Sequence, residues 1–285
     1  MLFRSRQLQD GHWPTLIGAW LHLTVSFMVW LLIGALSLPI ARALALTPAE
    51  LSWLIALPLL GGTGLRLLGG WSCDWFEAKR TAVAILLGEM AVLLWGWSVE
   101  PTMPVLWGIA MLLGIGGASF AVALPLAGQA YPPASQGLVL GLAASGNIGT
   151  VVILFFAPRW AELLGWQQVF GVMTGIVAAT CVVFVWLVED GRENNHRPRD
   201  RNVAWWHHAA ELLRQRTAYW LCFLYAITFG GFIGLCSVLP VLLHDTYQLE
   251  AVTAGSVAAL CGLIDRKSTR LNSSHIPLSR MPSSA

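Results

Sequence analysis

From Pro101 to Pro158 the chain carries no aspartate, glutamate, lysine or arginine, and the same holds from Gly11 to Ala41. A helix that crosses a bilayer needs about 20 mostly apolar residues. Both stretches exceed that length, and neither keeps the charged face that an amphipathic helix turns to water. Composition agrees: 56% of the 285 residues are hydrophobic and 11% charged, against about 25% charged in an ordinary soluble domain. That balance argues against a soluble enzyme. The net charge is only +2, with neither sign gathered in a long block, which argues against nucleic acid as a partner. Cys73, Cys181, Cys222, Cys236 and Cys261 stand too far apart for metal or redox spacing and read as packing residues. No cofactor and no metal is implied.

Breaks in hydropathy divide the chain. The first span runs from Leu16 to Leu38, with Pro39 and Arg42 expected to end it, and no cleavage site follows it, so it is expected to stay in the membrane. The second, Leu51 to about Ser72, holds one charge, Arg66; the third, Thr81 to Ser98, holds Glu89. Tyr131, Pro132, Pro133, Ala134 and Ser135 cannot continue a helix, so the long uncharged stretch gives a fourth span, Val105 to Gln129, and a fifth, Leu138 to Ala157. The sixth covers Trp166 to Val188 and the seventh Ala218 to Leu243; an eighth starts near Val252 and stops at Ile264. The expectation is an all-α membrane protein: a six-helix unit over 1–188, a polar linker over 189–217, and span seven with the start of span eight over 218–264.

Basic residues favour the cytoplasmic side of a membrane. Arg4, Arg6, Lys79, Arg80 and the arginines of 192–216 fall on one side, and only Arg42 and Arg159 on the other. The N-terminus and the linker are therefore placed in the cytoplasm. Within the linker, Val203 to Arg216 reads as an interfacial amphipathic helix with Trp205, Trp206, Leu212 and Leu213 on its apolar face. His207, His208 and Glu211 on that helix read as a solvated face rather than a metal site.

Hydropathy collapses after Ile264. An eighth span of about 13 residues is roughly 20 Å long, too short for the hydrocarbon core. The chain is therefore expected to be the front part of a longer protein. Asp265 to Ala285, rich in serine and basic residues, resembles a read-through tail foreign to it, a native disordered tail being the alternative.

Span five repeats small residues every four positions, Gly137, Gly141, Ser145 and Gly149, a stripe that lets a neighbouring helix approach closely. Asn147, two residues from Ser145, points roughly the other way. Arg66 is the sharpest feature. A guanidinium within a span costs about 2.5 to 3.5 kcal/mol on insertion scales, so it has a partner. Gly62 and Gly70, four residues to either side, leave space around it. It binds an anion, snorkels toward the cytoplasmic surface, or pairs with Glu89. Asn147 offers an amide to an anion or a bond between helices; Tyr225 offers a hydroxyl or belongs to the interfacial belt. His22 and Glu89 are the other titratable side chains within spans. Each is a candidate proton carrier, with helix packing or a backbone hydrogen bond the favoured role.

Six spans, a cytoplasmic linker and further spans resemble the major facilitator superfamily, whose halves are built of three-helix inverted repeats. Its motif between spans two and three is matched by Gly70, Asp74, Lys79 and Arg80, with Trp75 and Glu77 standing where the family has a basic residue and a glycine. Within that superfamily the chain resembles the nitrate/nitrite porters. The likeness is carried by Gly141, Leu142, Ala143, Ala144, Ser145, Gly146, Asn147, Ile148, Gly149 and Thr150 with Ala157 and Pro158. It extends to Phe120 through Pro125, Tyr131 through Gly137, Ser26 through Trp30, and Tyr225, Thr228, Phe229, Gly230, Phe232, Ile233 and Gly234.

The resemblance implies nitrate or nitrite transport by alternating access, in a bacterial inner membrane, by a protein monomeric when intact. Arg66, Asn147 and Tyr225 would bind the anion, with protons a candidate second partner and the lipid bilayer the surroundings. It also implies a second arginine in span eight and a second glycine and asparagine signature in span eleven. Neither is present, and Arg266 and Arg270 of the tail are not taken for that arginine. Transport by the chain alone is therefore not expected. Another small anion, or a sensor that binds without transporting, is the alternative. An intramembrane enzyme is disfavoured because no histidine base can be linked to Ser145.

Overall fold

The computed structural model describes residues 11–189, 214–260 and 262. Every regular element among them is helical. Seven helices are long and apolar enough to cross a membrane: Trp13–Leu44, Pro48–Cys73, Ala78–Ser98, Met103–Gln129, Pro133–Leu164, Trp166–Leu187 and Arg216–Tyr247, called spans one to seven below. A shorter apolar helix, Ala251–Leu260, follows them. The linker helix, apart from its last residues, and the tail 265–285 lie outside the described residues.

Two spans are longer than the sequence suggests. Span one passes through Pro39 and Arg42 to Leu44, where Ala45 turns left-handed (φ 50°, ψ 46°) and its N–H caps the Ala41 carbonyl. Span five passes through Pro158 to Leu164, and Arg159 lies inside it, its guanidinium stacked on the Phe155 ring and donating to Ser256 Oγ at 2.9 Å. Membrane helices tolerate interior proline because neighbouring helices hold the freed backbone groups. The start of span two is built locally. Thr47 Oγ1 accepts from the Glu50 N–H while the Glu50 carboxylate accepts from the Thr47 N–H, a reciprocal cap for two otherwise unpaired donors.

Span one is the axis of the bundle. Leu23, Phe27, Ile33 and Leu36 are fully buried, and Leu86 and Leu93 of span three and Phe170 and Phe184 of span six join the same core. Spans three and six fit through glycine: Gly96 lies against the Phe170 ring and Gly171 against the Trp97 indole. Spans two and four touch backbone to backbone, since a side chain at Gly61 would land on the Met111 carbonyl and one at Gly114 on the backbone of Gly61 and Gly62. Span seven is the least enclosed, although Gly34 of span one seats Ser237.

The small-residue stripe of span five is kept in part. Ser145–Asn147 forms a 3₁₀ turn, with three residues per turn in place of about 3.6, so the helix rotates there and a four-residue stripe cannot run straight through it. Gly149 falls against the Thr24 carbonyl of span one, Gly146 against Trp20 and Leu23, and Ser145 Oγ accepts from Trp20 Nε1 at 3.0 Å. Gly137 and Gly141 face open space among the described residues.

The loops before spans three and six share one backbone shape. Glu77 has φ 72° and ψ 148°, and Gly165 has φ 89° and ψ 145°. Glu77 follows span two and Gly165 follows span five, each just before the next span begins. Glycine adopts this region freely; for glutamate it stores about 1–3 kcal/mol of strain. The loop motif thus keeps its backbone after losing its glycine.

Two measurements test this packing. Gly149→Leu should destabilise the protein in detergent unfolding by about 3 kcal/mol or more, because the clash is with backbone, whereas Gly141→Leu should fall within about 1 kcal/mol of wild type. Glu77→Gly should stabilise by about 1 kcal/mol, the relieved strain exceeding the entropy cost of glycine; an unchanged or lower unfolding midpoint would remove the strain argument.

Candidate functional site

Arg66 lies in the C-terminal half of span two. It is half-buried, and three aromatic faces surround it: its Cζ is 5.6 Å from the Trp30 ring centre and 5.7 Å from those of Phe120 and Phe229. Four spans thus meet at one cation, each ring adding attraction through its negative face. Arg66 Nε donates to the Gly117 carbonyl at 3.1 Å. Nη2 is buried and has no hydrogen-bond partner. No ion pair joins Arg66 to Glu89 among the described residues, and the bond to Gly117 holds the side chain inside the bundle rather than letting it reach the surface.

The cage is positioned by its own packing. Trp30 Nε1 donates to the Pro58 carbonyl at 2.8 Å, and its indole lies between Gly62 and Gly117, where any side chain would collide with it. The space that Gly62 leaves is thus taken by Trp30; Gly70 faces open space. Phe27 meets Trp30 edge-on, with centroids 5.4 Å apart, and also touches Phe120 and Phe229.

Tyr225 stacks on Phe229 at 4.9 Å and 17°, lies 6.3 Å from the Phe120 ring, and stands close enough to Arg66 for its hydroxyl to interact with the guanidinium. The structure therefore brings Arg66 and Tyr225 into one cluster. Asn147 sits on the 3₁₀ turn of span five with Oδ1 buried and unpartnered, and no hydrogen bond joins it to that cluster among the described residues.

Trp30, Phe120, Asn147, Tyr225 and Phe229 each lie beside or within an irregular turn. Span one breaks at Leu31, next to Trp30; span four breaks at Gly114 and Ser119, flanking Gly117 and Phe120. Span five tightens at Asn147, and span seven opens into a π-helical turn over Ala226–Gly230, which begins at Tyr225 and contains Phe229. Interrupted helices free backbone groups and re-aim side chains, and in transporters they mark substrate sites. Trp30, Phe120 and Phe229 escape a reading based on charge and spacing, although the glycine runs Gly114, Gly116, Gly117 and Gly230, Gly231 are a visible signal for those breaks.

In the loop before span three, Arg80 Nε lies 3.7 Å from the Glu77 carboxylate, both side chains being largely exposed. Lys79 and Gly70 flank that loop, and the Asp74 side chain lies outside the described ones. His22 is buried with Nε2 bonded to the Ala82 carbonyl at 3.2 Å. Glu89 is buried with neither carboxyl oxygen bonded. No cluster of three His, Cys, Asp or Glu occurs among the described residues. What the Arg66 cluster can do is hold a small anion: Nη2 is unpartnered and lies beside three aromatic faces.

Residues 18–267 match the family model of the Major Facilitator Superfamily, and the chain belongs to that superfamily. It is similar to a probable nitrate/nitrite transporter, NarK2, of Mycobacterium tuberculosis, with 33% identity over 82% of this chain and 59% of the relative. It is also similar to a nitrite extrusion protein of Bacillus subtilis, with 28% identity over 82% of this chain and 58% of the relative. The chain thus spans less than two thirds of the length of either. Its fold resembles the crystal structure of a bacterial homologue of the human lysosomal transporter Spinster in an inward-facing, occupied conformation, with a TM-score of 0.60 and 18% identity over 92% of this chain and 61% of that one.

Proposed function

We propose that this chain forms the nitrate- and nitrite-binding half of a transporter that works by alternating access, with residues 1–188 as one six-helix unit and a second unit following the cytoplasmic linker. The observation that carries this reading is the unpartnered Nη2 of Arg66 inside a cage of three rings. Nitrate is planar with three acceptor oxygens, and the guanidinium edge can donate to two of them while the anion lies flat against aromatic faces. The Tyr225 hydroxyl would donate to a third oxygen. Asn147 would join them through its amide when span five shifts against span one, on the glycines that let the two helices slide closely. An uncharged donor adds affinity without a charge that would prevent release. The names of the relatives support the substrate class, and the basic loops support an N-terminus on the cytoplasmic side of a bacterial inner membrane.

Reconstituted in lipid, the 285-residue chain should bind nitrate and nitrite in calorimetric titration, and Arg66→Ala should abolish binding while leaving helicity intact. Unchanged nitrate affinity in Arg66→Ala would make that arginine a packing residue and remove the reading. In proteoliposomes the same chain should show no nitrate uptake above empty vesicles, because alternating access needs two units rocking about the site; uptake would show that this chain alone completes a pathway.

A further inference from the structure

A second buried polar group lies deeper in the bundle, unused by the anion cluster. Glu89, at the middle of span three, is wholly buried, and both its carboxyl oxygens lack a hydrogen-bond partner. The Ser26 hydroxyl of span one faces it and is itself buried and unbonded. The other titratable or charged side chains on the helices around it and on its own are His22 and Arg42 on span one, Glu50, Arg66 and Cys73 on span two, Cys181 on span six, and Lys79 and Arg80 at the start of span three itself; span four contributes none. His22 is committed through Nε2 to the Ala82 carbonyl, and Arg66 is committed to Gly117 and the rings. A carboxylate at this place has no cation paired with it among the described residues and one hydroxyl, Ser26, to replace its shell of water, which costs more than any buried neutral group. A carboxylic acid has one O–H, and Ser26 Oγ is there to accept it.

From this placement we infer that Glu89 is a proton-binding site of the transporter, bonded through its O–H to Ser26 when protonated and coupled to the anion at Arg66; the coupling rests on the function proposed above. Ser26 and Trp30 are four residues apart and share one face of span one, so the helix that meets the carboxyl also carries the indole that walls Arg66. Gly116 of span four packs on the Ser26 carbonyl and Gly117 on Trp30, so both groups are held by the same glycine contact. In a low-dielectric bundle a carboxylate at Glu89 repels an incoming anion. Adding H⁺ to it removes that charge. By linkage each ligand then raises the affinity for the other equally, so protons and nitrate bind together.

Infrared spectroscopy of the lipid-reconstituted chain, through a titration from about pH 6 to about pH 9 that brackets neutral pH, tests the site directly. Wild type should show the carbonyl band of a protonated carboxylic acid that fades as the pH rises; Glu89→Gln should lack it, and Glu89→Asp should keep a titrating band. A band that is absent from wild type, that does not fade, or that survives in Glu89→Gln overturns the proton site, whatever the nitrate result. Nitrate affinity measured alongside should fall at least about fivefold across the range in wild type and stay flat in Glu89→Gln. A titrating band with pH-independent nitrate affinity overturns the coupling. A titrating band in a chain that binds no nitrate supports the proton site and counts against the function proposed above alone.

Discussion

An arginine inside a bilayer cannot shed its charge, so the helices around Arg66 must be arranged to keep it. They do so with little conventional chemistry. One carbonyl takes Nε, and three ring faces take the remaining charge, leaving Nη2 without a donor's usual partner. The close crossing of spans two and four through Gly61, Gly62, Gly114 and Gly117 follows from the same need, since only bare backbone lets Trp30 slide between them and lets the Gly117 carbonyl reach the guanidinium. The fold and the site are thus one packing problem.

Regular helices would not present these groups. An unbroken span four would tie the Gly117 carbonyl into its own ladder, and in span seven the π-helical turn over Ala226–Gly230 carries Phe229, stacked on Tyr225, against Arg66. Such breaks are tolerated in a membrane only where other helices or a cavity satisfy the freed groups, and here spans one, four and seven break beside the same cluster. The loop at Glu77 shows the converse. Its backbone matches that of Gly165 before span six, although glutamate is ill suited to it.

The seven spans are legible in the sequence because apolar length alone marks a membrane helix, and Arg66 is legible because a lone charge in such a helix stands out. Helix ends are less so: Pro39 and Pro158 look like stops and are not, since neighbouring helices hold the backbone that a proline frees. The aromatic cage is invisible to the same reasoning, for Trp30, Phe120 and Phe229 look like any apolar residue until the glycine-rich breaks bring them to one cation. Four-residue spacing likewise predicts a straight stripe through Gly141 and Gly149, and a single 3₁₀ turn at Ser145–Asn147 rotates it away. Which residues a helix presents depends on its local winding, and spacing carries that only while the helix stays regular.

Solid-state NMR of the lipid-embedded chain with ¹⁵N-nitrate and labelled arginine gives the most direct measurement of the central claim. The account predicts a through-space contact from nitrate to the Arg66 guanidinium, with ring-current shifts from the surrounding aromatic faces. A nitrate signal that contacts another arginine, or none, would contradict it.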